Sequence, residues 1–562
     1  QAVGAWDTLH DAPNVIVAII DSGARLTHTD LAANLWTNPT PSASGYINDL
    51  HGINATVLPS NSASGNPADN NGHGTHVSGI IGAVGNNATG TTGVAWKVQL
   101  MELKFLDSTG SGAVSDEIAC IDYAIAHGAS IINASFGTTG FSSSEFAALQ
   151  LARSSGIIFV AAAGNDGLDA DNGNDYPAGY ALDNIVSVAA TTRTDALASY
   201  SNYGSGSIDL AAPGDEILST YNSSDTSYEV LSGTSMATPH VVGALALLKA
   251  HFPSDTYRQL INRLLRSASK IPGLGGKVQS GGRLNLALAL ASTDNRPFND
   301  DFATRAQLAG ANVRVRSSNA GATRETDEPQ HAGVAGGASL WWTWTAPATG
   351  PVTFDTTGSG YDTTLAVYTG SVLNGLQLVA ANDDTSGADT TSSLTITVMA
   401  GTTYQVAIDG KNGATGNTVL KIGTVPPNNN FASAQLVAGA SFAVSATTLG
   451  ASVEPGEPDP TGFSSGHSVW YAWTAPAAGH FDLAAYSTQA DMIAAVYTGS
   501  SVSGLSLVAS NDDSISYNTD SLVSFNAAAG QTYYFSIDNV DSDGSDFTMS
   551  LNDESGQYPS AG

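Results

Sequence analysis

A single cysteine, Cys120, stands in the 562 residues of this chain, so no intrachain disulfide can staple the fold. It lies in Ile118-Ala119-Cys120-Ile121, on the apolar face of an expected helix, the setting of a buried core thiol rather than of a nucleophile. Charge is scarce as well, at 12% of residues against the usual quarter. Lys and Arg number 19 against 50 Asp and Glu, a formal net charge of -31. Such a surface repels phosphate backbones and anionic membranes, which argues against nucleic acid as a partner and favours solubility and cation binding. No apolar run approaches the roughly 20 residues needed to span a bilayer. The sequence opens at Gln1 without a basic and apolar leader, which gives the expectation of a processed product. An exported chain so poor in cysteine would need metal ions as its staples.

Apolar β-branched runs punctuate residues 1–291: Val15 to Ile20, Val98 to Leu103, Ser130 to Asn133, Ile157 to Val160 and Ile185 to Val188. Helical stretches, Val114 to His127 and Ser143 to Ser154, lie between some of them. Strands apolar on both faces and alternating with helices predict an α/β domain with a mainly parallel sheet, whose ligand site lies beyond the carboxyl ends of the strands. Residues 292–297 read as a polar linker. Beyond it, short alternating segments rich in Thr, Val, Tyr and Gly predict all-β sandwich or jelly-roll domains. Phe302, Trp344, Tyr368, Asn382 and Tyr404 recur as Phe431, Trp473, Tyr497, Asn511 and Tyr533, each pair 129 apart. A constant offset means two copies of one domain, expected at 298–424 and 425–553, with a loose tail at 554–562.

The chemistry concentrates in the first domain. Asp21 closes the first apolar run, His73 sits in Gly72-His73-Gly74-Thr75-His76, and Ser235 lies in Gly233-Thr234-Ser235-Met236-Ala237-Thr238-Pro239-His240 at the start of an apolar helix. A serine hydroxyl needs a histidine to take its proton, and the histidine needs a carboxylate to fix its tautomer. Helix N-terminal N–H groups beside the serine can face a developing oxyanion. A plain helix cap would explain Ser235 alone; the three motifs together point to catalysis.

These blocks, in the order Asp, His, Ser, closely resemble the subtilisin family of serine proteases over about residues 1–291. The resemblance implies a secreted endopeptidase acting on protein or peptide substrates, expected as a monomer and with its own pro-segment as inhibitor and folding aid. Ser235 would be the nucleophile, His73 the general base and Asp21 its orienting partner, with His76 packing or capping. Asn165, in Ala163-Gly164-Asn165-Asp166, matches the oxyanion-hole asparagine. Substrate would add as a strand between Gly110, Ser111 and Gly112 on one side and Ser135, Phe136 and Gly137 on the other. Phe136 would line apolar pocket surface, and Ala162 and Gly164 the wall of the S1 pocket. Asp175, just before Tyr176-Pro177, stands where simple family members carry glycine at the base of S1, which would favour Lys or Arg at P1.

Calcium is the implied metal. The loop Gly85 to Thr91 resembles the family's strong calcium loop, giving Gly85, Asn87, Thr89 and Thr91 as ligand positions, completed by Asp30. Asp49, Asp69 and Asn70 read as solvated turn acids rather than a second site. Both repeats resemble the bacterial pre-peptidase C-terminal family through Trp341-Trp342-Thr343-Trp344-Thr345-Ala346-Pro347 and Val469-Trp470-Tyr471-Ala472-Trp473-Thr474-Ala475-Pro476. That implies a role in export or in binding substrate. Their acids, Asp383-Asp384 with Asp362 and Asp512-Asp513 with Asp491, are candidate calcium ligands or ordinary turn acids. A lipase elbow would place glycine where Ala237 stands and order its triad differently. A non-catalytic adhesin would have lost a triad member, and none is lost.

Overall fold

The buried run from Val15 onward forms an interior strand of a nine-stranded sheet. The computed structural model describes all residues except 1, 172–174, 386–388, 463–465, 488–489, 514–519, 541–543 and 555–562; the expected tail thus lies outside the described residues apart from Glu554. The first-domain strands are β1 (Asp11–Asp21), β2 (Gly52–Asn54), β3 (Lys97–Lys104), β4 (Ile131–Ala134), β5 (Ile158–Ala162), β6 (Ile185–Thr191) and β7 (Leu210–Pro213). A hairpin, β8 (Ile217–Tyr221) and β9 (Ser227–Leu231), stands apart, and β10 (Ser269–Lys270) and β11 (Gly282–Arg283) complete the sheet. Its order is β10-β11-β7-β6-β5-β4-β1-β3-β2. All pairings are parallel except β10 with β11.

The helices are α1 (Ala2–Trp6), α2 (His73–Gly82), α3 (Val114–Ala126), α4 (Ser143–Ser154), α5 (Thr234–His251), α6 (Tyr257–Arg266) and α7 (Leu286–Ala291). Helix α5 is apolar nearly all round, the mark of a helix with no solvent face, and it packs on α2 and across β1 and β4 to β7. Pro239 inside it has no N–H for the carbonyl of Ser235 four residues back. That carbonyl instead accepts a bond from the Ser135 hydroxyl at 3.0 Å, so the start of α5 is tied to the end of β4. Cys120 is fully buried in the core under α3.

Beyond residue 291 the chain builds four sheets. The first copy holds β12 (Ala306–Leu308), β13 (Val313–Ser318), β14 (Leu340–Thr345), β15 (Gly350–Asp355), β16 (Thr363–Thr369), β17 (Gln377–Asn382), β18 (Ser393–Val398), β19 (Thr403–Gly410) and β20 (Asn417–Thr424). The second holds β21 (Gln435–Val437), β22 (Phe442–Thr447), β23 (Val469–Thr474), β24 (Gly479–Tyr486), β25 (Met492–Thr498), β26 (Ser506–Asn511), β27 (Ser521–Ala527), β28 (Thr532–Asn539) and β29 (Asp546–Asp553). Each copy has a five-stranded and a four-stranded sheet in matching order, antiparallel but for the three-residue pairings β12 with β14 and β21 with β23. Trp344 and Phe354, from the two sheets of the first copy, pack edge to face, as do Trp473 and Phe481 in the second. The conserved-offset aromatics are therefore core, not a surface platform.

Candidate active site

The end of β1 meets the start of α2, and α5, which opens with Thr234 and Ser235, packs on α2. Asp21 ends β1, is fully buried, and accepts the Ser22 N–H at 2.7 Å. His73 opens α2, and its Nδ1–H lies 2.9 Å from both carboxylate oxygens of Asp21. The turn before His73 is built by Asp69, whose carboxylate accepts the N–H groups of Asn71, Gly72 and Thr75 and the Ser22 hydroxyl. Gly72 has φ 114°, and a Cβ there would meet the Tyr221 ring at 2.5 Å. Asp69 is thus a half-buried turn acid that fixes the entry of α2. Asp49 is buried elsewhere, bonded to Asn38, Ser44 and Tyr123. Asp49 therefore does not match its expectation as a solvated turn acid, whereas Asp69 is a turn acid only partly withdrawn from solvent.

Burial pushes the His73 ring toward neutrality. The adjoining Asp21 carboxylate, by charge and hydrogen bond, and the charge of Asp69 outweigh this and hold its pKa above the ordinary histidine value. His76 behaves oppositely. Buried in α2, with Nε2 at 3.1 Å from the carbonyls of Ile217 and Glu229, it is lowered by desolvation to about 4 and stays neutral as a strut to the β8–β9 hairpin.

Ser235, second residue of α5, is half-buried and donates its hydroxyl to the Ser135 carbonyl at 3.1 Å. Apo catalytic hydrogen bonds commonly tighten only with substrate present. Asn165 is exposed, and its side-chain oxygen accepts the Thr234 N–H at 2.9 Å and the Thr234 hydroxyl at 3.1 Å. Anchoring the oxygen leaves the amide NH₂ as the end that can donate beside Ser235.

The expected pocket segments also gather. Tyr176 and Thr138 exchange backbone bonds of 2.7 and 2.8 Å, joining the strip Ser135, Phe136 and Gly137 to the segment that begins at Asp175. Asn202 donates to the Asp175 carboxylate at 2.5 Å and to the Gly164 carbonyl, through its backbone, at 3.0 Å. A Cβ on Gly164, at φ 98°, would meet Asn202 at 2.3 Å and Asp175 at 2.9 Å. Ala162 is buried at the end of β5. Burial, eased by Asn202 and reinforced by the charge of Asp166, raises the Asp175 pKa above the carboxylate norm. Gly110, Ser111 and Gly112 lie in an exposed turn held by Asp107, and Phe105 beneath it stacks edgewise on Phe136 at 4.6 Å. Asn202 carried no motif, and its part is visible only in three dimensions.

Asp30 is fully buried, faces the 85–91 loop, and among the described residues has no Lys or Arg partner. It accepts the Asn87 amide at 2.6 Å, the Thr91 N–H at 3.2 Å and the Tyr228 hydroxyl at 2.9 Å. Thr89 caps Asn87 through its N–H at 3.0 Å, and Gly85 lies against Trp96, where a Cβ would meet the ring at 2.1 Å. A buried carboxylate without a basic partner, beside a loop whose Asn and Thr side chains and carbonyls can turn oxygens toward it, fits calcium. In the first β-copy Asp362, Asp383 and Asp384 also gather. The cation among them is the chain's own Lys411, 2.8 Å from Asp383 and 3.1 Å from Asp384.

The sequence profile of the Subtilase family matches residues 12–306. Thermitase of Thermoactinomyces vulgaris is 38% identical over 275 residues, 49% of this chain and 88% of that protein. Subtilisin Savinase of Lederbergia lenta is 38% identical over 273 residues, 48% of this chain and 89% of its own length. A thermostable alkaline protease of Halalkalibacterium halodurans is 43% identical over 210 residues, 37% of this chain and 56% of that protein. The chain belongs to the subtilase family. Its activity is that of a subtilisin-type serine endopeptidase.

Proposed function

We propose that the chain is a secreted, calcium-stabilised endopeptidase whose acyl-enzyme forms on Ser235. The observation that carries this is the Asp21–His73 contact, 2.9 Å to both carboxylate oxygens, with Ser235 at the start of α5. His73 Nδ1–H is committed to Asp21, which leaves Nε2 as the base. Rotation about the serine Cα–Cβ bond releases Oγ from the Ser135 carbonyl to attack the scissile carbonyl as Nε2 takes its proton. The same imidazolium then protonates the leaving amine, and water repeats the sequence on the acyl-enzyme. The Asn165 amide and the Ser235 N–H receive the oxyanion. Loss of one such donor costs about 10²–10³ in turnover, a magnitude that comes from a subtilisin rather than from this chain.

Substrate lies as a strand between 110–112 and 135–137, with its P1 side chain against Ala162, Gly164 and Asp175. A carboxylate at that wall favours Lys or Arg. Asp30, Gly85, Asn87, Thr89 and Thr91 would hold calcium, which when bound cross-links the 85–91 loop to the chain after β1. The two β-copies are read as sandwiches of the pre-peptidase C-terminal type, aiding export or substrate binding. Secretion accords with the extracellular relative Epr of Bacillus subtilis, 36% identical over 297 residues, and no helix among the described residues is long and apolar enough to cross a membrane. Casein hydrolysis by wild type and Ser235→Ala tests the reading: the variant should lose at least about 10⁴-fold, and undiminished clearing would refute it.

A further inference from the structure

The first β-copy reaches into the protease. Arg316 on β13 is 6% exposed, yet among the described residues none of its own copy receives its guanidinium. Nη1 donates to the Tyr180 carbonyl, and Nη2 donates to the Ser187 hydroxyl at 3.1 Å and to the Ser207 carbonyl. Ser187, on β6, passes the contact on by donating to the Ala178 carbonyl at 2.9 Å. Both ends of that relay land on residues 178–180, the continuation of the segment that starts at Asp175 and pairs with Thr138. A cavity of about 20 Å³ behind this segment is lined by Ala163, Asp175, Ala178, Gly179, Arg314 and Arg316. The docking is fixed on both flanks. The Ser205 hydroxyl accepts the Ala309 N–H at 3.0 Å, and Gln279 donates to the Arg316 carbonyl at 3.1 Å. Asn417 of β20 donates to the Ala181 carbonyl at 3.4 Å.

We propose that Arg316 is a positioning residue for peptidase specificity: from the first β-copy it holds the 175–180 segment that forms the back of the S1 pocket. A buried guanidinium is costly unless its donors are met. Here they are met by the carbonyls and hydroxyl of the pocket's own backing, so docking the copy and setting the wall are one event. Displacement of a pocket wall by even 1 Å from a distant change alters rate constants by up to about 10²-fold. The inference rests on reading Asp175 as part of S1.

The test uses the full chain, with active sites titrated by a fluorophosphonate and a panel of peptide amides carrying Lys, Arg, Leu or Phe at P1. Arg316→Ala should lower kcat/KM for the favoured P1 about tenfold, chiefly through KM, and narrow the spread between best and worst P1 at least threefold. Arg316→Lys should recover part of both. Ser187→Ala, which removes only the relay hydroxyl, should move the spread the same way by a smaller factor. An unchanged spread in Arg316→Ala overturns the proposal. Should that variant yield no titratable enzyme, an unchanged spread in Ser187→Ala overturns it instead. Asp175→Asn in the same panel judges the S1 reading separately. A shift in Arg316→Ala alone keeps the buttress and removes Asp175 from P1 recognition; no shift in either removes both.

Discussion

The two β-copies share strand order, and their aromatic cores match at an offset of 129, yet they differ where they meet the rest of the chain. In the first, β13 is buried on both faces over Val315–Ser318; in the second, the equivalent β22 alternates between half-buried and exposed. Position 316 is an arginine sunk into the protease, and position 445, its equivalent by 316 + 129, is a serine on the surface. The second copy instead meets the first, as where Thr353 donates to the Gly450 carbonyl at 3.4 Å, and a cavity of about 330 Å³ with walls including Thr353, Lys421, Leu449 and His467 lies at their junction. Matching frames therefore make different contacts: the first copy packs on the protease domain, the second on the first copy.

The sharpest way to break that comparison is to empty each core in turn. Trp344 and Trp473 are equivalent, buried, and donate through Nε1 to Gly310 and Gly439 at 2.9 and 2.8 Å. Truncating either to alanine should destabilise its own copy by about 3–5 kcal/mol. Trp473→Ala should leave peptide hydrolysis at wild-type values, whereas Trp344→Ala should also alter P1 discrimination. Equal effects on hydrolysis would erase the distinction. Next in size, chelation should shorten the thermal half-life of activity about tenfold or more through the Asp30 loop, and by the same factor in Trp473→Ala. Inactivation insensitive to EDTA would remove the calcium assignment.

The pH dependence should sit wholly inside the protease. His73 must be neutral to act as base, and its pKa is raised, so kcat/KM should fall on the acid side at a pH above the ordinary histidine value of about 6.5. Asp69→Asn, which removes one of the raising charges, should move that limb to lower pH, and Trp473→Ala should not move it. A limb at or below the ordinary value would contradict the electrostatics of the site. The smallest effect concerns Lys411, whose equivalent is Val540. Both donate a backbone N–H to the matching aspartate carbonyl, Asp362 at 3.0 Å and Asp491 at 2.8 Å, but only Lys411 adds an ammonium. Lys411→Met should lower the melting midpoint slightly, with the difference shrinking in 1 M salt because these half-exposed ion pairs are partly screened. A difference that persists undiminished in high salt would show that the lysine acts by packing instead.

What the sequence made legible was whatever depends on neighbours along the chain. The runs from Val15, Val98, Ser130, Ile157 and Ile185 are strands because apolar β-branched residues bury both faces, and Asp21, His73 and Asn165 could be placed because each lies at or beside a strand end or helix start. The 129-residue offset announced the second copy. Contacts between distant stretches left no local mark. Asn202 reaches Asp175 across 27 residues, and Arg316 reaches Tyr180 across 136. The tie from Ser235 to the Ser135 carbonyl likewise spans 100. One signal was present unread: an arginine in one copy facing a serine in the other, in a chain this poor in basic residues.

Adduct mapping tests Ser235 as the acylating nucleophile directly. Wild-type chain treated with a fluorophosphonate and digested should carry the phosphonyl mass on the peptide containing Ser235 and lose activity in proportion, while Ser235→Ala takes up no label. Stoichiometric label on another serine, or full inactivation with Ser235 unmodified, would contradict it.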